Sequence, residues 1–180
     1  MNRGMQIIEW APITETEKIP PLGKELKKHL ANKKNTVKQT SCSAWNLLFQ
    51  ILHEAGIPKL TVAFTDTGKP YFVDSDIHFS LSHSKGVCAV AVSDHPIGVD
   101  VEVIKDSYNP HLIERSLNEK EKAAFDGDFT RIWCRKEAVA KMTGEGITRY
   151  PNYIDTTGYM FEERKIEYDG LKYWLVTVQR

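Results

Sequence analysis

Asp100 and Glu102 stand two residues apart in "IGVDVEV", Ile97 to Val103, where apolar residues occupy every second place. Side chains alternate across a strand, so Gly98, Asp100 and Glu102 share one face while Ile97, Val99, Val101 and Val103 fill the other. Residues two apart on a strand are separated by roughly 6.5 to 7 Å, close enough for both carboxylates to lean onto one small cation. All-oxygen ligation suits a hard cation such as magnesium. A D-x-E alone equally describes two unrelated acids on a solvated edge strand.

Two further clusters carry chemistry. In "WCRKEAVAKMTGEG", Trp133 to Gly146, helical spacing stacks Trp133, Glu137 and Lys141 on one side and puts Ile132, Val139 and Met142 on an apolar side. Taken alone, Glu137 and Lys141 describe a helix-surface pair worth roughly a few tenths of a kcal/mol. The third cluster joins "GKP", Gly68 to Pro70, with "LSHS", Leu81 to Ser84. Pro70 fixes an extended approach for Lys69, and a lysine with a histidine and serines nearby makes charge-assisted hydrogen bonds to phosphate. A lone His83 or Lys69 is otherwise a structural or a solvated side chain.

The elements that must position these groups read as a mixed α+β chain. Its 180 residues, 41% hydrophobic, are enough to bury a real core as one large domain or two small ones. With 24 basic against 24 acidic residues there is no global field to recruit nucleic acid or an anionic membrane surface. Cys42, Cys88 and Cys134 show no metal spacing and suggest reduced thiols, and no stretch approaches the roughly 18 apolar residues of a membrane helix. A cytoplasmic protein is expected.

Along the chain, Met5 to Trp10 reads as a strand and Leu22 to Ala55 as helical, stopped by Gly56 and Pro58. Strands are expected at Leu60 to Phe64, Ile77 to Leu81, Val87 to Ser93 and Ile97 to Val103, the last two as a hairpin through Asp94-His95-Pro96. Helices follow from about Asn118 to Phe125, with Asn118 and Glu121 at capping-box spacing, and from about Thr130 to Thr143, ending at Gly144. The tail is again β-like. "TGKPYF" followed by "VCAVAV" resembles "TGYMFE" followed by "YWLVTV", a faint repeat that hints at two similar halves.

In this order, "GKP", "F-x-L-S-H-S", "P-I-G-V-D-V-E" and "W-x-x-K-E-A-x-x-K" with "G-x-G" resemble the 4′-phosphopantetheinyl transferase superfamily, of the longer, pseudo-dimeric (surfactin-synthetase-activating) type. The motifs cover Gly68 to Gly146. The resemblance implies two similar α+β halves related by a pseudo-two-fold axis. Residues 1–94 would form an N-terminal half carrying the phosphate-binding motifs, and 95–180 a C-terminal half carrying the metal-binding ones.

The implied activity is magnesium-dependent transfer of 4′-phosphopantetheine from coenzyme A to a serine of an acyl or peptidyl carrier protein, with adenosine 3′,5′-bisphosphate released. By motif, Asp100, Glu102 and Glu137 would hold the metal, and Lys69, Pro70, Ser82, His83 and Lys141 the coenzyme. Lys141 would also neutralise charge growing on the pyrophosphate, and Glu137 would draw the serine proton, directly or through a water. Where relatives place an arginine or histidine-arginine on the nucleotide, this chain reads "NKKNTVKQTSCSAWN", with Lys33, Lys34 and Lys38 as candidates. Val101 is apolar where some relatives are polar, which leaves that metal position to water. A pseudo-dimer implies a monomer in solution. A non-catalytic coenzyme A or nucleotide-binding protein of the same fold is the alternative, and a magnesium phosphohydrolase acting on coenzyme A a third reading.

Overall fold

The computed structural model describes residues 4–147 and 151–180. In chain order the elements are β1 (Gln6–Pro12), α1 (Lys24–Ala31), α2 (Asn35–Glu54), β2 (Val62–Phe64), β3 (Pro70–Phe72), β4 (His78–Ser84), β5 (Val87–Ser93) and β6 (Ile97–Val103). Then come α3 (Pro110–Ser116), α4 (Glu119–Ala123), α5 (Phe129–Thr143), a short 3-10 turn (Pro151–Tyr153), β7 (Phe161–Tyr168) and β8 (Leu171–Gln179). The chain is an α+β protein, as the alternating strands and periodic helices predict.

The strands form two antiparallel three-stranded sheets, β1-β5-β4 and β6-β8-β7, beside a small β2-β3 hairpin. Both large sheets share one plan: the last strand of the set lies at the centre, between the first and the one before last. "VCAVAV" in β5 and "YWLVTV" in β8 occupy equivalent central places, so this part of the repeat has a structural counterpart. "TGKPYF" does not, because it builds the β2-β3 turn, whereas "TGYMFE" leads into β7.

Alternation sorts the cores. Val90 and Val92 face α2 with Phe79, Trp45 and Leu48, while Val87, Ala89 and Ala91 face the other way, onto Val99, Val101, Tyr173 and Leu175 of the second sheet. Helix α5 covers the outer face of that sheet, packing Ala138, Val139 and Met142 against Val176 and Val178. The contact is close because of Gly98, since a Cβ there would fall on the Ala138 carbonyl oxygen. The helix ends where expected, with Gly144 in the left-handed conformation at φ 82°.

Two expectations need correction. β5 and β6 are not a hairpin: both edges of β5 are taken, by β1 and β4, and β6 pairs with β8. The helix expected over 22–55 breaks into α1 and α2 at Asn32 to Lys34. No buried apolar residue lies between Leu30 and Cys42, so nothing in the core holds a straight continuation. The predicted capping box on α4 is present, with Asn118 Oδ1 accepting from the Glu121 amide at 2.9 Å and Glu121 Oε2 accepting from the Asn118 amide at 3.0 Å.

Candidate active site

The outer edge of β6 organises the site. One edge pairs with β8, and on the other the amides of Val99, Val101 and Val103 donate to side chains: to Ser80 Oγ at 3.0 Å, Ser82 Oγ at 3.3 Å and Ser84 Oγ at 3.2 Å. These serines alternate along β4, so all three lie on the face turned toward β6. The edge of one sheet is satisfied by hydroxyls of the other, where open amides would otherwise be left.

From this seam the D-x-E carboxylates project toward α5. Asp100, only 2% exposed, accepts at Oδ1 from the Ser82 hydroxyl (2.6 Å) and the Lys141 ammonium (2.7 Å), and at Oδ2 from the Cys134 thiol (3.2 Å). Glu102 accepts from the Ser84 hydroxyl at 3.1 Å. Burial, then the Asp100 charge, then more weakly Glu137, push the Glu102 carboxyl up to about 7 against opposition from Ser84 and Lys141. Burial and Asp100 raise the Glu137 carboxyl as well.

The three carboxylates expected to hold the metal are thus brought within electrostatic reach of one another, with Lys141 on Asp100. Among the described residues, no group of three or more His, Cys, Asp or Glu side chains converges tightly enough to enclose a metal ion. The donor chemistry nevertheless fits a hard divalent cation. The donors are all oxygen, and after burial the Asp100 charge is what raises both Glu102 and Glu137 against the pull of Lys141, so a cation in the cluster would be welcome.

Beside the carboxylates opens a cavity of about 340 Å³. Lys69, Pro70 and His83 line it from the first half, and Glu137 and Lys141 from α5. Burial, then Lys141 and Lys33, lower the pKa of His83. The Lys69 ammonium donates to the Met142 carbonyl near the C-terminus of α5, tying the two halves together, and burial lowers its pKa. Ser82 stands apart. Its hydroxyl donates to Asp100 and accepts from Lys141 (2.8 Å) and the Val101 amide, which uses its one proton and both lone pairs.

Of the three candidate lysines in the N-terminal segment, Lys33 lines the cavity and donates to Ser41 at 3.1 Å. Lys38 instead pairs with Glu17 at 3.0 Å, and Lys34 stands exposed at the N-cap of α2. Sequence reasoning missed His29, stacked on Phe64 with ring centroids 4.5 Å apart, and the cavity faces of Trp45 and Phe79. The aromatic character of Trp45 and Phe64 was visible, but their meeting depends on elements remote in sequence. Cys134 was read only as a reduced thiol, with no sequence signal for its bond to Asp100.

A D-x-E strand facing a K-E-x-x-x-K helix across two α+β sheets defines a class. Residues 96–166 match the family model of the 4′-phosphopantetheinyl transferase superfamily, and the likeness to that superfamily is thereby shown over the D-x-E and K-E-x-x-x-K motifs. The relatives carry the same name: the 4′-phosphopantetheinyl transferase gsp of Aneurinibacillus migulanus is 34% identical over 130 residues, 67% of this chain and 51% of the relative. The 4′-phosphopantetheinyl transferase psf-1 of Bacillus pumilus is 33% identical over 119 residues, 57% and 48% of the two chains. The 4′-phosphopantetheinyl transferase AcpT of Salmonella typhimurium is 31% identical over 105 residues, 52% and 55%. The chain spans about half the length of the curated relatives it matches. No described helix is long and apolar enough to cross a membrane.

Proposed function

We propose that the protein transfers 4′-phosphopantetheine from coenzyme A to a serine of an acyl or peptidyl carrier protein, with magnesium held by Asp100, Glu102 and Glu137. One observation carries the reading. A cavity that gathers Lys33, Lys69 and His83 from one half opens directly onto Glu137 and Lys141 of the other, and Lys141 there holds Asp100 of the D-x-E strand. Basic groups for a phosphorylated nucleotide and acidic groups for a divalent cation therefore share one cleft.

Each group has a part in the chemistry. Lys69, His83 and Lys33 bind the coenzyme's phosphates, Pro70 shapes the wall, and Trp45 and Phe64 offer apolar surface to the rest of the ligand. A magnesium ion bound there would neutralise charge on the pyrophosphate. The serine oxygen forms its bond to the β-phosphorus as the bond to adenosine 3′,5′-bisphosphate breaks. Glu137 takes the serine proton, directly or through a water, and Lys141 stabilises the charge of the departing group. Ser82 acts through Asp100 and Lys141, since a direct phosphate contact requires it to give up a bond it already makes.

We further propose that the two halves, 1–94 and 95–180, are related by a pseudo-two-fold axis and work as a monomer in the cytoplasm. The shared strand order supports the axis. Coenzyme A, magnesium and a panel of apo carrier proteins of fatty acid, polyketide and peptide synthesis, read by intact mass, test the function. The expected outcome is one added phosphopantetheine on a carrier serine. Tight coenzyme A binding with no addition to any carrier would replace the transferase by a binding protein, and cleavage of coenzyme A without a carrier would point to a hydrolase.

A further inference from the structure

The serines of "FSLSHS" differ in what they do with their protons. Ser80, Ser82 and Ser84 each accept an amide of β6, but Ser82 and Ser84 also donate, each to the carboxylate one residue before that amide. Among the described residues Ser80 has no such partner, and the matching position is Gly98. The seam that joins the sheets is therefore also the device that aims the D-x-E side chains.

We infer that Ser84 is a positioning residue for Glu102, orienting its carboxylate for the divalent cation; this rests on the metal reading proposed above. Asp100 has three partners, Ser82, Lys141 and Cys134, and is fixed without any one of them. Among the described residues Glu102 has one hydrogen-bond partner, the Ser84 hydroxyl at 3.1 Å. Its carboxylate borders a groove formed with Lys85, Lys105 and Leu171, so without Ser84 it is free to swing into that groove. Groups that hydrogen-bond a metal ligand and fix its direction typically matter by about 10- to 100-fold in metal affinity or activity.

Because all three serines hold the seam, Ser80→Ala is an internal control for loss of the seam bond; Ser80 also lines the coenzyme cavity, which is why coenzyme A is kept saturating. Manganese is titrated into each protein with coenzyme A saturating, and free manganese is read by electron paramagnetic resonance, with thermal melts alongside. Ser84→Ala is expected to weaken manganese by about tenfold, Ser84→Thr to restore it by keeping the hydroxyl, and Ser80→Ala to leave it unchanged while lowering the melting temperature about as much as Ser84→Ala. Should Ser84→Ala fail to fold, Ser84→Cys keeps the shape with a weaker donor and is expected to lose about threefold. Equal manganese affinity in wild type and the Ser84 variants, or an equal loss in Ser80→Ala, overturns the inference and leaves the serines as seam only. If wild type with coenzyme A takes up no manganese, the metal reading itself fails and the inference falls with it.

Discussion

Helix α5 carries two lysine–carboxylate pairs five residues apart, and they are opposites. Lys136 is fully buried, 2.7 Å from Glu121, and donates also to the carbonyls of Pro151 and Ile154, so its three protons are all used. Glu121 accepts in addition from Asn118 and from the amide and hydroxyl of Thr156. Lys141 pairs with Asp100 at the same 2.7 Å, yet its side chain is 30% exposed, among the described residues it makes one further bond, to Ser82, and it borders the cavity. A saturated pair fixes structure, here the approach of residues 151–156 to α4 and α5. An unsaturated pair at a cavity wall keeps a proton and a charge available for a ligand.

Breaking the saturated pair should have the largest effect. Glu121→Ala leaves an ammonium buried without its counter-charge, a loss of about 3–5 kcal/mol in unfolding free energy by urea titration. A loss below about 1 kcal/mol would refute the structural role. Breaking the other pair should cost the fold less, because Asp100 keeps its bonds to Ser82 and Cys134, and should hit the reaction. Lys141→Met is expected to lower kcat by on the order of 10²- to 10³-fold, with partial rescue by Lys141→Arg, while costing clearly less stability than Glu121→Ala. If the two variants showed the same balance of stability and turnover, the contrast between the pairs would disappear.

The contrast also depends on how closely α5 lies on β6. Gly98→Ala must push strand and helix apart, because the obstacle is the Ala138 backbone carbonyl and no rotamer relieves it. The expected destabilisation is about 1–3 kcal/mol, with a fall in turnover because Glu137 and Lys141 move together with the helix. Wild-type turnover in Gly98→Ala would show that their spacing from Asp100 is not tightly set.

The sequence showed strands β5 and β6 and the stop of α5 closely, since alternation and a C-terminal glycine are local signals. It also showed the residues of the D-x-E and K-E-x-x-x-K motifs. It did not show which lysine of the helix is structural: Lys136 and Lys141 differ only in what distant elements bring to them, Glu121 and residues 151–156 in one case, Ser82 and Asp100 in the other. The expected β5-β6 hairpin failed for a related reason. The open edge of β6 is met by serine side chains, and side chains that substitute for a strand leave no alternating backbone signature. His29 and Phe64 joined the cavity by the same long-range packing.

The smallest effect tests the cavity's basic wall. Lys33, Lys34 and Lys38 are equivalent in sequence, but only Lys33 lines the cavity, where burial lowers its pKa, whereas Lys38 is held by Glu17 and Lys34 stands exposed at the N-cap of α2. A charge facing a bound phosphate is worth roughly 1.5–3 kcal/mol as a charge-assisted hydrogen bond, and less where solvent reaches it. Lys33→Ala should therefore weaken coenzyme A by about 5- to 10-fold in calorimetry, with the loss shrinking as salt rises. Lys38→Ala removes an ion pair with Glu17 at the surface and should change affinity less than twofold. Affinity lost through Lys38 and kept without Lys33 would place the phosphates outside this cavity, and the division of work between the two halves would have to be redrawn.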